Sequence, residues 1–167
     1  GEHFMHSNPR PVPVPRAPLL TPVALAAVLM CQPALSATRT WTGGAGGSNS
    51  FWDLVANWNT GLPVAGDIAA MGAFDTTIRN GTWALQSMSG TGTLTVTGGA
   101  LSVNAASSMG SLLMSGGSVG GSGTLTLGSF TWNGGDLGNA SSLGGVINVN
   151  GAATLNATQH VVHYGQT

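Results

Sequence analysis

One phrase is written twice in this chain. Gly90-Thr-Gly-Thr-Leu-Thr-Val96 returns about thirty residues later as Gly121-Ser-Gly-Thr-Leu-Thr-Leu127. Each copy is a glycine turn followed by polar and apolar residues in alternation, which places the aliphatic side chains on one side of an extended backbone and the hydroxyls on the other. A unit with a single apolar face cannot bury it alone, whereas copies stacked on one another build a continuous core. The repeated phrase therefore predicts stacked β-units.

From Gly81 onward short strands are expected at Thr82–Leu85, Thr93–Thr97, Ala100–Asn104, Ser111–Ser115, Thr124–Leu127, Phe130–Asn133, Val146–Asn150 and Ala153–Asn156. Turns are expected at Gly98-Gly99, Gly116-Gly117, Asn133-Gly134-Gly135 and Asn150-Gly151. No stretch of similar length carries apolar residues at helical spacing, so little or no helix is expected. A meander of hairpins would satisfy the strands. The recurring phrase and small turn residues instead favour an all-β, right-handed β-helix (β-solenoid), with coils about 4.8 Å apart and inward aliphatic ladders. Threonine and asparagine at matching positions would form polar ladders. Low charge with abundant glycine also suits disorder, but the regular spacing of aliphatics and the positive mean hydropathy of +0.23 favour an ordered core.

The first 37 residues read as an upstream leader and signal peptide. Arg10 and Arg16 precede an uncharged apolar run, Ala17 to Met30, and Pro33-Ala-Leu-Ser-Ala37 supplies small residues for cleavage. The run falls short of the roughly 20 apolar residues a bilayer span needs, and Pro18, Pro22 and Pro33 interrupt or flank it. The chain opens on Gly1 and stops at Thr167 in mid-pattern, which reads as a fragment with initiation at Met5. The single cysteine, Cys31, lies inside the leader, where Val28-Leu-Met30 lacks the small residue that lipoprotein processing requires. Stability is then expected from stacking and hydrogen bonding, without disulfides. Lysine is absent, so no basic surface for nucleic acid is expected.

Residues 38–80 form a Trp/Gly-rich stretch expected to cap the core at its N-terminal end, and residues 81–167 form the β-solenoid repeats. Trp41, Phe51, Trp52 and Trp58 cluster here around the run Gly43-Gly-Ala-Gly-Gly47. The pattern Trp41-Thr-Gly-Gly, Phe51-Trp-Asp, Asn57-Trp58 and Gly61-Leu-Pro-Val-Ala-Gly-Asp67 resembles the opening of large secreted bacterial surface proteins of the autotransporter passenger and repeat adhesin type. Phe130-Thr-Trp-Asn-Gly-Gly-Asp-Leu-Gly138 and Gly144-Gly-Val-Ile-Asn-Val-Asn-Gly-Ala-Ala-Thr-Leu155 look like repeat units of the same group. The resemblance implies a β-helical protein at the cell surface or secreted, with an adhesive or structural role. No translocating barrel and no sorting tail occurs within these residues, which leaves the route beyond the inner membrane open.

Catalytic groups are scarce. Asp67 and Asp136 sit in glycine-containing turns, where the carboxylate bonds the local backbone. Asp53 and Asp75 have no evident partner for general acid–base work. His160 and His163, three apart, would face opposite ways on a strand, so no metal site is expected. Calcium-binding nonapeptides need successive Gly-Gly-x-Gly-x-Asp units, and only Gly134-Gly-Asp136 comes near. Trp41, Trp52 and Trp58 are the candidate carbohydrate-binding residues, since an indole face stacks on a sugar ring, while core filling is the plainer role for them.

These features lead to an exported, non-catalytic surface β-solenoid without cofactors, whose partners would be glycans or surface proteins and the export machinery. One alternative is the N-terminal part of a polysaccharide-acting β-helix enzyme. The other is a carbohydrate-binding module that uses the tryptophans.

Overall fold

The computed structural model describes residue 1, residues 35–138 and 145–156, and the backbone of 161–162. Every described element lies in the compact unit Leu35–Thr167. Among the described residues the only helical element is a 3-10 turn at Val55–Asn57.

The strands run in chain order: β1 (Thr38–Thr40), β2 (Ile68–Gly72), β3 (Thr76–Ile78), β4 (Thr82–Leu85), β5 (Ser87–Gly90), β6 (Thr93–Val96), β7 (Ala100–Val103), β8 (Ser107–Gly120), β9 (Thr124–Leu137), β10 (Val146–Val149), β11 (Ala153–Leu155) and β12 (Val161–Val162). Every ladder between them is parallel. A parallel neighbour cannot be reached by a tight hairpin. The chain therefore circles one axis and lays each coil on the previous one, as a β-solenoid of about four turns.

β8 makes the geometry plain. Its first part pairs through Ser107–Met109, its middle through Ser111–Met114 and its end through Ser118–Val119, all against β9 in the next coil. The preceding coil contributes three separate strands to the same stretch, β5, β6 and β7. The middle stretch steps through Thr76, Leu94, Leu112 and Phe130. From Thr76 to Phe130 each coil therefore takes 18 residues on this stretch, the separation that also joins Ser111 to Ser129, and the following step, Phe130 to Ala153, is longer.

That period differs from the spacing of the repeated phrase. Thr93–Val96 pairs with Ser111–Met114, whereas Thr124–Leu127 pairs with Val146–Val149, so the two copies occupy different stretches of the coil. Alternating Thr and Leu suits any strand with one side buried, so the phrase reports strand chemistry rather than coil length. The turns differ too. Gly116-Gly117 and Gly134-Gly135 lie within β8 and β9 as corners, with Gly117 at φ 68° and Gly135 at φ 90°. Glycine takes this left-handed conformation at little cost and lets the strand bend without reversing.

Inward residues form ladders. Ile78, Val96, Met114 and Trp132 stack in register and are 0–4% exposed, ending at Leu155, which is 62% exposed. Beside them run Thr76, Leu94, Leu112 and Phe130, all buried. Phe130 and Trp132 stack with ring centroids 6.1 Å apart. Each fully buried aliphatic or aromatic side chain contributes about 1.5–3 kcal/mol by leaving water.

Within the stretch 38–80, β1 adds to the edge of β2, and β2 and β3 stack on β5 and β6. The parallel pairing thus begins at Thr38, which is in register with Ile68. The core cluster extends through Ala69 and Met71 to Trp41, Trp52 and Trp58.

Candidate functional site

The three tryptophans named as candidates for sugar contact are in the core, the plainer of the two roles open to them. Trp41, Trp52 and Trp58 are 2%, 1% and 5% exposed. Trp58 packs edge-on against Trp41 and Trp52, with centroids 5.0 and 4.8 Å apart. Trp52 also meets Trp83 at 6.0 Å. Stacking on a sugar ring needs a free indole face, and each of these faces is covered by protein. The carbohydrate platform is therefore replaced by a hydrophobic plug, because rings this large gain more from mutual burial than from exposure to water.

Asn57, which the sequence reading left without a role, organises the loop over this plug. It is 1% exposed, donates through Nδ2 to the Asn49 and Phe51 carbonyls, and accepts the Ala45 N–H on Oδ1. A buried amide with three good bonds stabilises the glycine-rich segment around it. A cleft of about 150 Å³ opens between Gly43, Gly46, Gly47, Asn49 and the Phe74-Asp75 pair. Its one carboxylate, Asp75, accepts the Thr93 N–H at 2.7 Å.

A regular surface lies on the outward side of the middle stretch. Inward Leu94, Val96, Leu112 and Met114 alternate with outward residues, because successive side chains of a strand point to opposite sides. Thr77, Thr95, Leu113, Thr131 and Thr154 therefore stand in one column. Thr93, Ser111 and Ser129 stand in the next. Neighbouring rungs lie about 4.8 Å apart and alternate positions along a strand about 6.7 Å apart, so the face is a two-dimensional grid of hydroxyl and methyl groups. Ser111 Oγ and Ser129 Oγ are 2.7 Å apart and share one hydrogen bond. Asn156 Nδ2 donates to Asn133 Oδ1 at 2.9 Å on a further column.

Charge lies at one end of this grid. Phe51 bridges in parallel to Thr77, and the Arg79 guanidinium carbon sits 3.8 Å from the Phe51 ring centroid. Arg79 also bonds Asp53 through Nε and Nη2, and Asn80 Nδ2 donates to the same carboxylate. The Arg79 bonds hold the Asp53 carboxyl below the ordinary carboxylate range. From Asn80 to Gly135 the chain has no charged side chain, so the rest of the face presents hydroxyls, amides and methyls.

The remaining sequence candidates are dispersed. Asp67, 3% exposed, pairs with Arg39 Nε at 2.8 Å. Asp136 lies on the third stretch, in register with Ser118 and Val161. His160 and His163 lie outside the described residues. Among the described residues no three His, Cys, Asp or Glu gather as they would around a metal ion. The chain matches no protein-family model, no curated protein and no solved structure.

Proposed function

We propose that this protein is an exported, non-catalytic β-solenoid of the bacterial surface, of the autotransporter-passenger or repeat-adhesin type, with an adhesive or structural role toward glycans or surface proteins. The observation that carries this reading is the middle outward face, where hydroxyl side chains recur in register on successive rungs, with Leu113 the one apolar position in the threonine column. A stacked fold multiplies one weak contact by the number of its rungs, which suits an extended or repetitive partner. The non-catalytic reading draws on the engagement of the carboxylates: Asp53 by Arg79, Asp67 by Arg39, and Asp75 by the Thr93 N–H. Export is supported by the uncharged run from Ala17 to Met30 behind Arg10 and Arg16.

The test is retention of the protein on glycan arrays and on bacterial and host cell surfaces. Thr95→Lys and Thr131→Lys place charge on the proposed face. Ser89→Lys and Ser108→Lys place it on the first stretch, where both serines are exposed. Loss of retention with the first pair alone supports the reading. Equal retention by all four variants, or none by the parent, sinks it.

A further inference from the structure

Asp67 is a carboxylate with more donors than a surface turn requires. Its side chain is 4% exposed. Oδ2 accepts Arg39 Nε at 2.8 Å and the Val64 N–H at 3.1 Å, while Oδ1 accepts the Ala37 N–H at 3.0 Å. Ala37 is fastened on its other side as well, since its carbonyl accepts the Ile68 N–H at 2.8 Å. The two described residues before it are exposed, Ser36 and Leu35, the latter at 92%. The folded unit thus uses Ala37 through both of its backbone polar groups.

Resting on the export reading above, we propose that the leader is removed between Ser36 and Ala37, and that the new α-ammonium of Ala37 pairs with Asp67. The local sequence fits this bond. Ala34 and Ser36 put small residues at the third and first positions before it, the pattern a signal peptidase selects. A cut one residue later would place Leu35 at the third position, and it would remove both the acceptor of the Ile68 N–H and the donor to Asp67 Oδ1. A cut after Ala34 would place Gln32 at the third position and leave exposed Leu35 at the new end. Hydrolysis of the Ser36–Ala37 bond consumes one water, leaving a carboxylate on Ser36 and an amine on Ala37 that is protonated at neutral pH. At Asp67 Oδ1 a neutral N–H donor becomes an ammonium, so the contact strengthens to a charge-assisted bond in a site that already holds the carboxylate in its charged form. Arg39 and the new terminus would then clasp β1 to the start of the solenoid through one side chain.

The experiment expresses the full chain with its leader in an exporting bacterial host and reads the N-terminus of cellular and exported protein by intact mass and terminal sequencing. The expected exported species starts at Ala37. A start at Thr38 or Leu35 overturns the inference and leaves export standing. A leader retained on cell-associated protein overturns both. A second readout tests the pairing. The chain contains no lysine, so the mature α-amine is its only amine and an N-hydroxysuccinimide ester labels that group alone among amines. At neutral pH, labelling of the folded protein is expected to be about tenfold slower than in urea, the effect of raising an amine pKa by one unit. Asp67→Asn should restore most of the rate in the folded state. Equal labelling of the parent, folded and unfolded, overturns the pairing even where the variant fails to fold.

Discussion

Trp58 donates its indole N–H to the carbonyl oxygen of Trp52 at 2.9 Å, while the two rings meet edge to face with centroids 4.8 Å apart. The same pair is asymmetric: the Trp52 indole nitrogen is buried and has no hydrogen-bond partner. One residue thus supplies both packing and a satisfied bond, and the other supplies packing at the cost of a desolvated donor.

Phenylalanine at the two positions should therefore behave differently. Trp58→Phe loses ring area and leaves the Trp52 carbonyl without this donor, for an expected loss of about 2–3 kcal/mol. Trp52→Phe removes an unpaired buried donor together with ring area, so its loss should be smaller by about 1 kcal/mol or more. Urea denaturation followed by tryptophan fluorescence measures both. Equal losses would show that the hydrogen bond carries no net stability.

Close stacking makes certain glycines irreplaceable. A Cβ on Gly110 would fall on the Thr91 carbonyl oxygen of the preceding coil, where only backbone could yield. Gly110→Ala is expected to cost at least about 3 kcal/mol, the upper range for overpacking. Gly134→Ala would bring its Cβ to 3.1 Å from the Ser115 carbonyl oxygen, which a small shift relieves, so a loss below about 1 kcal/mol is expected. Thermal melts of the two variants decide this, and similar melting temperatures would contradict the described register.

Acid should loosen the N-terminal edge first. Burial raises the Asp67 carboxyl, but the Arg39 guanidinium and the N–H groups of Val64 and Ala37 outweigh it and hold the group below its ordinary value. A depressed folded pKa contributes stability that is present above the unfolded value of about 3.9 and is lost as pH falls through the folded value. Asp53 has the same sign through Arg79. Stability is therefore expected to be level on this account between about pH 5 and 7 and to fall below about pH 4. Asp67→Asn should lower stability at neutral pH and flatten the acid limb, as read by urea midpoints across pH. An unchanged acid slope in that variant would remove Asp67 from the account.

The serine rung offers a direct measure of ladder energy. Ser111→Ala and Ser129→Ala each break the shared 2.7 Å hydrogen bond, and the double variant breaks it once. A double-mutant cycle should give a coupling of about 0.5–1.5 kcal/mol. A coupling near zero would mean that water replaces the bond fully at this half-buried position.

Local alternation made much of the fold legible. Thr82–Leu85 coincides with β4, and Thr93–Thr97, Ala100–Asn104 and Val146–Asn150 overrun β6, β7 and β10 by one residue each. Two of the strands that were not legible, β2 and β5, share a cause. Ile68–Gly72 has two alanines between Ile68 and Met71 and ends on a glycine, and Ser87–Gly90 has Met88 as its single large apolar residue. Neither carries a strand signal of its own, and each becomes a strand because its neighbours offer free backbone groups at the right height.

Sequence alone determined that the chain alternates, turns often at small residues and lacks the charge for a nucleic-acid surface, since these follow from residue type and nearest neighbours. Tertiary structure alone decided the 18-residue coil, the conversion of Gly116-Gly117 from a turn into a corner, and the burial of Trp41, Trp52 and Trp58. Each of these depends on which distant segment supplies the facing hydrogen bonds and covers the apolar side. A positive φ at glycine permits either a reversal or a bend, and an indole offers its face equally to sugar or to another indole. The stacking of one coil on the next selects between them, because only that arrangement satisfies the backbone and excludes water from the same side chains.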